Sequence, residues 1–152
     1  MDYATLTNLA ERYAERDLRN ITDVDAQALD TIRAQQALAD ASAEIEGYLS
    51  TRYLLPLQDT EGALIVAAPT ILVRCACDIA IYRLQTLRPA DDIKDARQRY
   101  DDVVKLLKGI ACGDVQLPGV KLRGDVADAL ASQSAGLPKF GTPPSLFGRI
   151  NR

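Results

Sequence analysis

The chain of 152 residues has no histidine and no tryptophan, and it has only two phenylalanines, one methionine and three cysteines. The missing histidine removes the most frequent general base and the most frequent metal ligand in proteins. A glycine-rich phosphate loop, a nucleophile elbow and a cysteine–histidine cluster are missing as well. The sequence therefore argues against an enzyme, and we predict no catalytic, cofactor-binding or metal-binding residues.

Long apolar runs are also missing. No run approaches the roughly 20 residues that a membrane span needs, so we expect no contact with a membrane. The N-terminus lacks the basic start and the apolar stretch of a signal peptide, which favours a cytoplasmic location. The formal net charge of −3 provides no basic field that would attract nucleic acid.

The few cysteines do not indicate a site. An odd number of cysteines without an export signal argues against a disulfide framework. Cys75 and Cys77 lie two residues apart in a helical pattern, about 200° apart around the helix axis, so they cannot share a metal ion. We expect both to be small, buried apolar side chains.

What the sequence does contain is helical periodicity. Near the N-terminus, Thr5 is a suitable cap for a short helix in which Leu6 and Leu9 share one face. A second short helix is predicted from Glu15 to Asn20. The strongest helix is predicted to run from a cap at Thr22 or Asp23 to about Thr51, because no proline interrupts it and alanine is frequent. About 25 residues at 1.5 Å each would make it about 37 Å long.

Two more helices follow an extended segment around Pro56. The first begins at Pro69, which suits a first helical turn, and it ends before Pro89. The second has a cap at Asp91 and a stop at Gly113. Their apolar stripes are Leu72, Cys75, Ile79 and Tyr82 in the first, and Ile93, Ala96, Tyr100, Val103, Leu107 and Ile110 in the second. We therefore predict an all-α fold, a small bundle of three main helices plus short N-terminal helices, over residues 1–113.

The character of the chain changes after this bundle. Residues 114–152 contain five glycines, four prolines and five basic against three acidic residues. We predict a flexible, extended C-terminal tail with at most two helical turns between Asp125 and Ser132. Its aromatic, aliphatic and basic residues are typical of a docking segment, although the two phenylalanines could also pack on the chain's own body. The partner-binding candidates in the tail are Phe140, Leu146, Phe147, Arg149 and Ile150.

Several stretches form an ordered set. They are Tyr3-Ala4-Thr5, A-L-A-D-A-S-A-E-I-E-G-Y-L at 37–49, R-Y-L-L-P-L at 52–57, D-I-A-I-Y-R-L at 78–84 and R-Q-R-Y at 97–100. In this order they resemble a family encoded in Mu-like phages and prophages. Its usual pattern is an alanine-rich helix, an R-Y-x-L-P-L segment and a helix with D-I-A-x-Y-x-L. The resemblance extends over residues 2–117.

Members of that family are regarded as head–tail connector, or adaptor, proteins of tailed phages. The resemblance implies a structural protein without cofactors, located at the head–tail junction of the virion and in the host cytoplasm before assembly. It implies a homo-oligomeric ring, commonly of about twelve copies, under the portal protein. A tail-completion or tail-terminator protein would attach below the ring, and DNA would pass through without sequence-specific binding.

Arg52 and Tyr53 complete the partner-binding candidates, because they stand where the long helix ends. We expect Arg52 to pair with a carboxylate of its own subunit or of a neighbouring copy. The acidic residues of the long helix either face solvent or contact Arg97 and Arg99 of another subunit. These acidic residues are Asp40, Glu44 and Glu46.

Two other functions remain open at this point. The first is a small helical phage or prophage protein that binds a host partner through its C-terminal tail. The second is carboxylate chemistry or a divalent ion at Asp91, Asp92 and Asp95. Acidic residues at a helix start explain that cluster more simply, because they favour the positive end of the helix dipole.

Overall fold

The computed structural model describes residues 1–23, 27–87 and 94–135. Within these ranges it contains six α-helices, two isolated β-bridges and no strand, which confirms the predicted all-α bundle. The helices are α1 (Leu6–Arg12), α2 (Glu15–Thr22), α3 (Thr31–Leu49), α4 (Thr70–Leu87), α5 (Lys94–Cys112) and α6 (Gly124–Ala135).

Both short N-terminal helices form as predicted. The Thr5 hydroxyl caps α1 by accepting a hydrogen bond from the backbone amide of Asn8 over 3.3 Å. In return, the Asn8 side chain accepts a hydrogen bond from the Thr5 amide over 3.0 Å. This reciprocal arrangement satisfies two amides that have no partner within the helix. α2 buries Leu18 and Ile21 against the main bundle.

The predicted start of the long helix is wrong. α3 begins at Thr31, because Asp30 rather than residue 22 or 23 provides the cap. The Asp30 carboxylate accepts hydrogen bonds from the amides of Ile32 and Arg33, both over 3.1 Å. Asp23 instead accepts hydrogen bonds from two backbone amides that precede this cap. With 19 residues, α3 is about 28 Å long and therefore shorter than expected.

α3, α4 and α5 form the bundle, and each runs opposite to the one before it. Arg83, near the end of α4, lines a groove together with Arg33 and Ala37, near the start of α3. Gly113, just after α5, lies against Arg52, just after α3. The end of α5 therefore returns to the end of α3.

α4 contacts α1, α2, α3 and α5, and α3 likewise contacts four helices. The apolar residues of α4 are accordingly buried on several sides. They are Leu72, Cys75, Ala76, Cys77, Ile79, Ala80, Ile81 and Leu84. The expectation that Cys75 and Cys77 serve as small buried side chains is confirmed.

α5 packs through the predicted stripe, in which Ala96, Val103, Leu107 and Ile110 are buried. Gly113 ends the helix with a φ of +94°, a left-handed conformation that glycine adopts without steric cost. The expected cap at Asp91 and the stripe residue Ile93 lie outside the described residues.

The segment after α5 is part of the folded body rather than of a tail. Leu117 and Val120 are buried in the core, and the amide of Leu117 donates a hydrogen bond to the Tyr53 hydroxyl over 2.8 Å. Further along, the amide of Arg123 donates to the carbonyl of Arg52 over 3.0 Å. The folded body therefore continues to residue 123, beyond the predicted boundary at 113.

The connection between α3 and α4 forms a short hairpin. Gln58 and Leu64 make an antiparallel bridge, and the Asp59 carboxylate fixes the turn by accepting hydrogen bonds from two backbone amides. The amide of Lys121 donates to the carbonyl of Gln58 over 2.8 Å, so the later segment lies beside the hairpin. Residues 52–66 and 113–124 are called the hairpin end below.

α6 is longer than the one or two turns that we predicted. It leaves the hairpin end at Gly124 and continues for 12 residues. Within the described part of the chain it packs closely against no other helix. Residues 127–133 are all exposed, and among them Leu130 is 38% exposed.

Candidate functional site

Arg52, one of the two predicted partner-binding residues of the body, is only 8% exposed. Its guanidinium lies against Gly113, just past the C-terminal end of α5. A cation is favoured there, because the last carbonyl groups of a helix carry partial negative charge. Among the described residues, no carboxylate lies within 4.0 Å of this guanidinium. The expected ion pair inside the subunit is therefore not formed by them.

Tyr53, the other candidate of the body, is 1% exposed. Its hydroxyl binds the amide of Leu117, and its backbone forms a bridge with Leu122. Tyr53 and Arg52 thus hold the hairpin end together. In this conformation neither side chain is exposed to a partner. A contact of Arg52 or Tyr53 with a partner stays a prediction.

A polar cluster joins the three main helices. Glu44 of α3 accepts a hydrogen bond from the guanidinium of Arg83 over 2.7 Å and another from the hydroxyl of Tyr100 over 2.8 Å. The ring of Tyr100 stacks on Tyr82, with ring centroids 4.4 Å apart. The bond to Glu44, together with burial, raises the pKa of Tyr100 to about 12, because a phenolate would face the carboxylate.

The other acidic residues of α3 differ in their surroundings. Glu46 pairs with the N-terminal ammonium of Met1 over 2.6 Å. Asp40 lies 3.8 Å from Arg83, and its side chain is 67% exposed. All three acids therefore have partners inside the chain, and Asp40 is the most exposed of them. A contact of Asp40 with an arginine of another subunit stays a prediction.

A second cluster ties α1 to α4 and α5. The hydroxyl of Tyr13 donates a hydrogen bond to Asp78, and the guanidinium of Arg99 lies over the Tyr13 ring, 5.9 Å from its centroid. Burial and the bond to Asp78 raise the pKa of Tyr13. The groove beside this cluster is lined by Arg74 and Arg99 and by Asp78 and Asp102. Two positive and two negative groups leave it no net charge with which to select an ion.

Reactive side chains are not gathered in one place. Within residues 1–23, 27–87 and 94–135, no group of three acidic or cysteine residues is arranged to hold a metal ion. Of the acidic cluster considered above, Asp91 and Asp92 lie outside the described residues and Asp95 lies within them. Burial raises the pKa of the Cys75 and Cys77 thiols to about 11. Both thiols therefore stay protonated and weakly nucleophilic near neutral pH.

Aliphatic side chains are instead exposed at both ends of the bundle. At the hairpin end Val66 is 93% exposed and Leu64 is 62% exposed. At the opposite end Ile32, in the first turn of α3, is 67% exposed. Val66 and Leu64 lie two residues apart in the chain, and the two exposed side chains together are called the Val66 patch below. Sequence reasoning missed this patch, although the apolar run Leu64-Ile65-Val66 in a polar loop could have indicated it.

The remaining partner-binding candidates belong to the tail. Phe140, Leu146, Phe147, Arg149 and Ile150 lie outside the described residues. Their role in docking stays a prediction. Among the described helices, none is both long enough and apolar enough to cross a membrane.

A family model described as Bacteriophage Mu, Gp36 matches residues 3–134. This span contains α1 to α5 and all but the last residue of α6. The chain therefore belongs to this family of Mu-like phage and prophage proteins, which confirms the resemblance at that level.

Two relatives support the assignment. The chain is 38% identical over 116 residues to the Mu-like prophage FluMu protein gp36 of Haemophilus influenzae, an overlap of 76% of this chain and 74% of that protein. It is 34% identical over 152 residues to gene product J of Escherichia phage Mu, which covers 98% of this chain and 96% of the phage protein. The similarity to the phage protein thus extends over the tail.

Proposed function

We propose that the protein is a structural head–tail connector, or adaptor, and that copies of it form a ring between the portal protein and the tail. DNA passes through this ring. Membership in a Mu-like phage family supports a role in a phage. The negative balance of residues 1–135, with 21 acidic and 15 basic residues, fits a channel wall that does not bind phosphate.

The observation that carries the proposal is the exposed patch of Val66 and Leu64. A ring requires two different surfaces on each copy, because a rotation brings one surface of a copy against another surface of the next. The most exposed large aliphatic side chains among the described residues lie at two places, this patch and Ile32 at the opposite end. Each copy could therefore contact a neighbour, the portal or a tail component through separate apolar sites.

The size of the patch suggests assembly on a partner rather than alone. Burying Val66 and Leu64 would contribute about 3–6 kcal/mol. The loss of translational and rotational freedom on association costs about 4–15 kcal/mol. A ring built only on such contacts is weak, so we expect it to form on a portal that already presents a ring of sites.

Light scattering and negative-stain microscopy of the full chain, with and without purified portal, test this proposal. We expect a ring on the portal, and we expect Val66→Asp to weaken its formation at least about tenfold, a change of about 1.4 kcal/mol. Gln116→Asp is the matched control, since it adds the same charge at an exposed site of the hairpin end. The proposal fails if the wild-type chain neither binds portal nor forms rings. If Val66→Asp assembles like the control, the patch is not the contact.

A further inference from the structure

A second apolar surface at the hairpin end is distinct from the Val66 patch. It is a groove of about 430 Å³ between the hairpin turn and the first turn of α6. Leu54, Val120, Leu122 and Ala127 contribute apolar atoms to its wall, and Thr60 and Lys121 contribute polar groups. Leu54 is 38% exposed, so the groove is open to a ligand.

The groove continues along α6. Ala127 lines the groove, and Val126 and Leu130 lie four residues apart on the helix, so their side chains are neighbours. A helix of 12 residues is marginally stable in water when nothing covers its apolar side. α6 packs closely against no other described helix, so this stripe is open to another segment.

The segment that follows α6 has the required chemistry. Residues 136–152 contain both phenylalanines of the chain, three prolines, three basic residues and no acidic residue. α6 itself contains Asp125 and Asp128 and no basic residue. Asp125 pairs with Arg123 over 3.1 Å, so Asp128 is the acidic group of α6 that complements the basic segment.

The length of the segment also fits. From Ala135 back to Ala127 the distance along α6 is about 12 Å. Five extended residues from Ala135 to Phe140 span up to about 17 Å, and twelve residues to Phe147 span up to about 40 Å. Either phenylalanine can therefore return to the groove of its own chain. The prolines restrict the unbound segment, which lowers the entropy lost on docking.

We propose that the groove binds the chain's own residues 136–152, which run back along α6 and place a phenylalanine between Leu54 and Leu122. When Phe147 occupies this position, Leu137 and Phe140 precede it along α6 and cover the stripe. This docking uses the same phenylalanines that a partner would bind. The two contacts therefore exclude each other, and a partner must displace the tail from the groove. The inference does not depend on ring formation.

Disulfide trapping in the full chain tests this docking. Cys112 is exposed and is first replaced by serine, whereas the buried Cys75 and Cys77 remain. Thr60→Cys then places a thiol at the edge of the groove, and Gly148→Cys places one beside Phe147 without removing it. We expect a disulfide within one chain, formed at a rate independent of protein concentration. The rate should be about tenfold higher than in the same chain with Phe140→Ser and Phe147→Ser, because docking raises the effective concentration of the thiols.

Two outcomes would overturn the proposal. Equal rates with and without the phenylalanines would show that the segment does not dock through them. Disulfides formed only between chains would show that the tail of a second copy occupies the groove. Leucine methyl NMR of the full chain provides an independent readout. Phe140→Ser with Phe147→Ser should shift the Leu54 and Leu122 resonances and leave that of the distant Leu38 unchanged.

Discussion

The hydroxyl oxygen of Tyr53 accepts a hydrogen bond from the backbone amide of Leu117 over 2.8 Å, and both residues are buried. The bond joins residues 64 positions apart in the chain. It connects the end of α3 to the segment that follows α5. Because water cannot replace either partner, loss of the hydroxyl leaves a buried amide without an acceptor.

We therefore expect Tyr53→Phe to lower the free energy of unfolding by about 1–3 kcal/mol in urea denaturation. Tyr48→Phe is the matched control, since Tyr48 is half-buried and its hydroxyl has no hydrogen bond within the described residues. The control should change stability by about 0.5 kcal/mol or less. Equal losses in both variants would show that the bond to Leu117 contributes little.

Glu44 and Asp40 allow a comparison of two carboxylates that share Arg83. The Glu44 side chain is 16% exposed and makes the 2.7 Å contact, whereas that of Asp40 is 67% exposed and 3.8 Å away. We expect Glu44→Gln to lower the free energy of unfolding by about 1–3 kcal/mol, because two donors lose a charged acceptor. Asp40→Asn should cost about 0.5 kcal/mol or less, since exposed ion pairs contribute little. Thermal or urea unfolding distinguishes the two, and a larger effect at Asp40 would contradict this view of the cluster.

Gly113 and Gly119 allow the stability cost of backbone strain to be measured separately from the cost of a steric collision. Both have positive φ, +94° and +74°. A Cβ at Gly113 would collide with the guanidinium of Arg52, whereas a Cβ at Gly119 would meet nothing within 4 Å. Gly119→Ala should cost about 1–2 kcal/mol of stability from strain alone, and Gly113→Ala should cost more.

The difference in stability loss between Gly113→Ala and Gly119→Ala should vanish when Arg52 is replaced by methionine. This replacement keeps the aliphatic stem and removes the guanidinium. A double-mutant cycle measured by urea denaturation provides this coupling. If Gly113→Ala is as costly in the Arg52→Met chain as in the wild type, the collision with Arg52 is not its cause.

The raised pKa of Tyr100 predicts how the stability of the fold depends on pH. The pKa of Tyr100 is raised in the folded chain to about 12, from an ordinary value of 10.0, mainly by its hydrogen bond to Glu44. Between these two values the unfolded chain loses the proton first, so the folded state is destabilised as pH rises. The contribution of Tyr100 is complete below pH 10 and is lost through pH 12. Urea denaturation at several pH values should show a smaller loss over this window in Tyr100→Phe, and equal slopes would contradict it.

Much of the bundle could be predicted from local patterns. Leu72, Cys75 and Ile79 keep the spacing that places them inside α4, and Gly113 marks the end of α5. The start of α3 could not be predicted in this way. Asp23 and Asp30 are equally suitable caps by residue type. The structure shows that Asp23 binds an amide of the connection, whereas Asp30 binds the first turn of α3.

The hairpin end was harder to predict because its contacts join distant residues. The glycine and proline content of residues 114–152 indicated a tail. Leu117 and Val120, two apolar residues that attach this segment to the core, were therefore missed. Likewise, a positive charge at Arg52 suggests an ion pair. Only the fold shows that a helix end, and no described carboxylate, lies beside it.

The backbone bonds from Lys121 and Arg123 to Gln58 and Arg52 have a consequence for synthesis. A ribosome delivers α3, the hairpin, α4 and α5 first, and the nascent chain folds from its N-terminal side. The apolar core next to Tyr53 stays uncovered by the segment after α5 until residue 123 has emerged. A chain that is released early, within α5, would expose apolar surface at the hairpin end. A chaperone or protease could recognise an incomplete chain by this exposed surface.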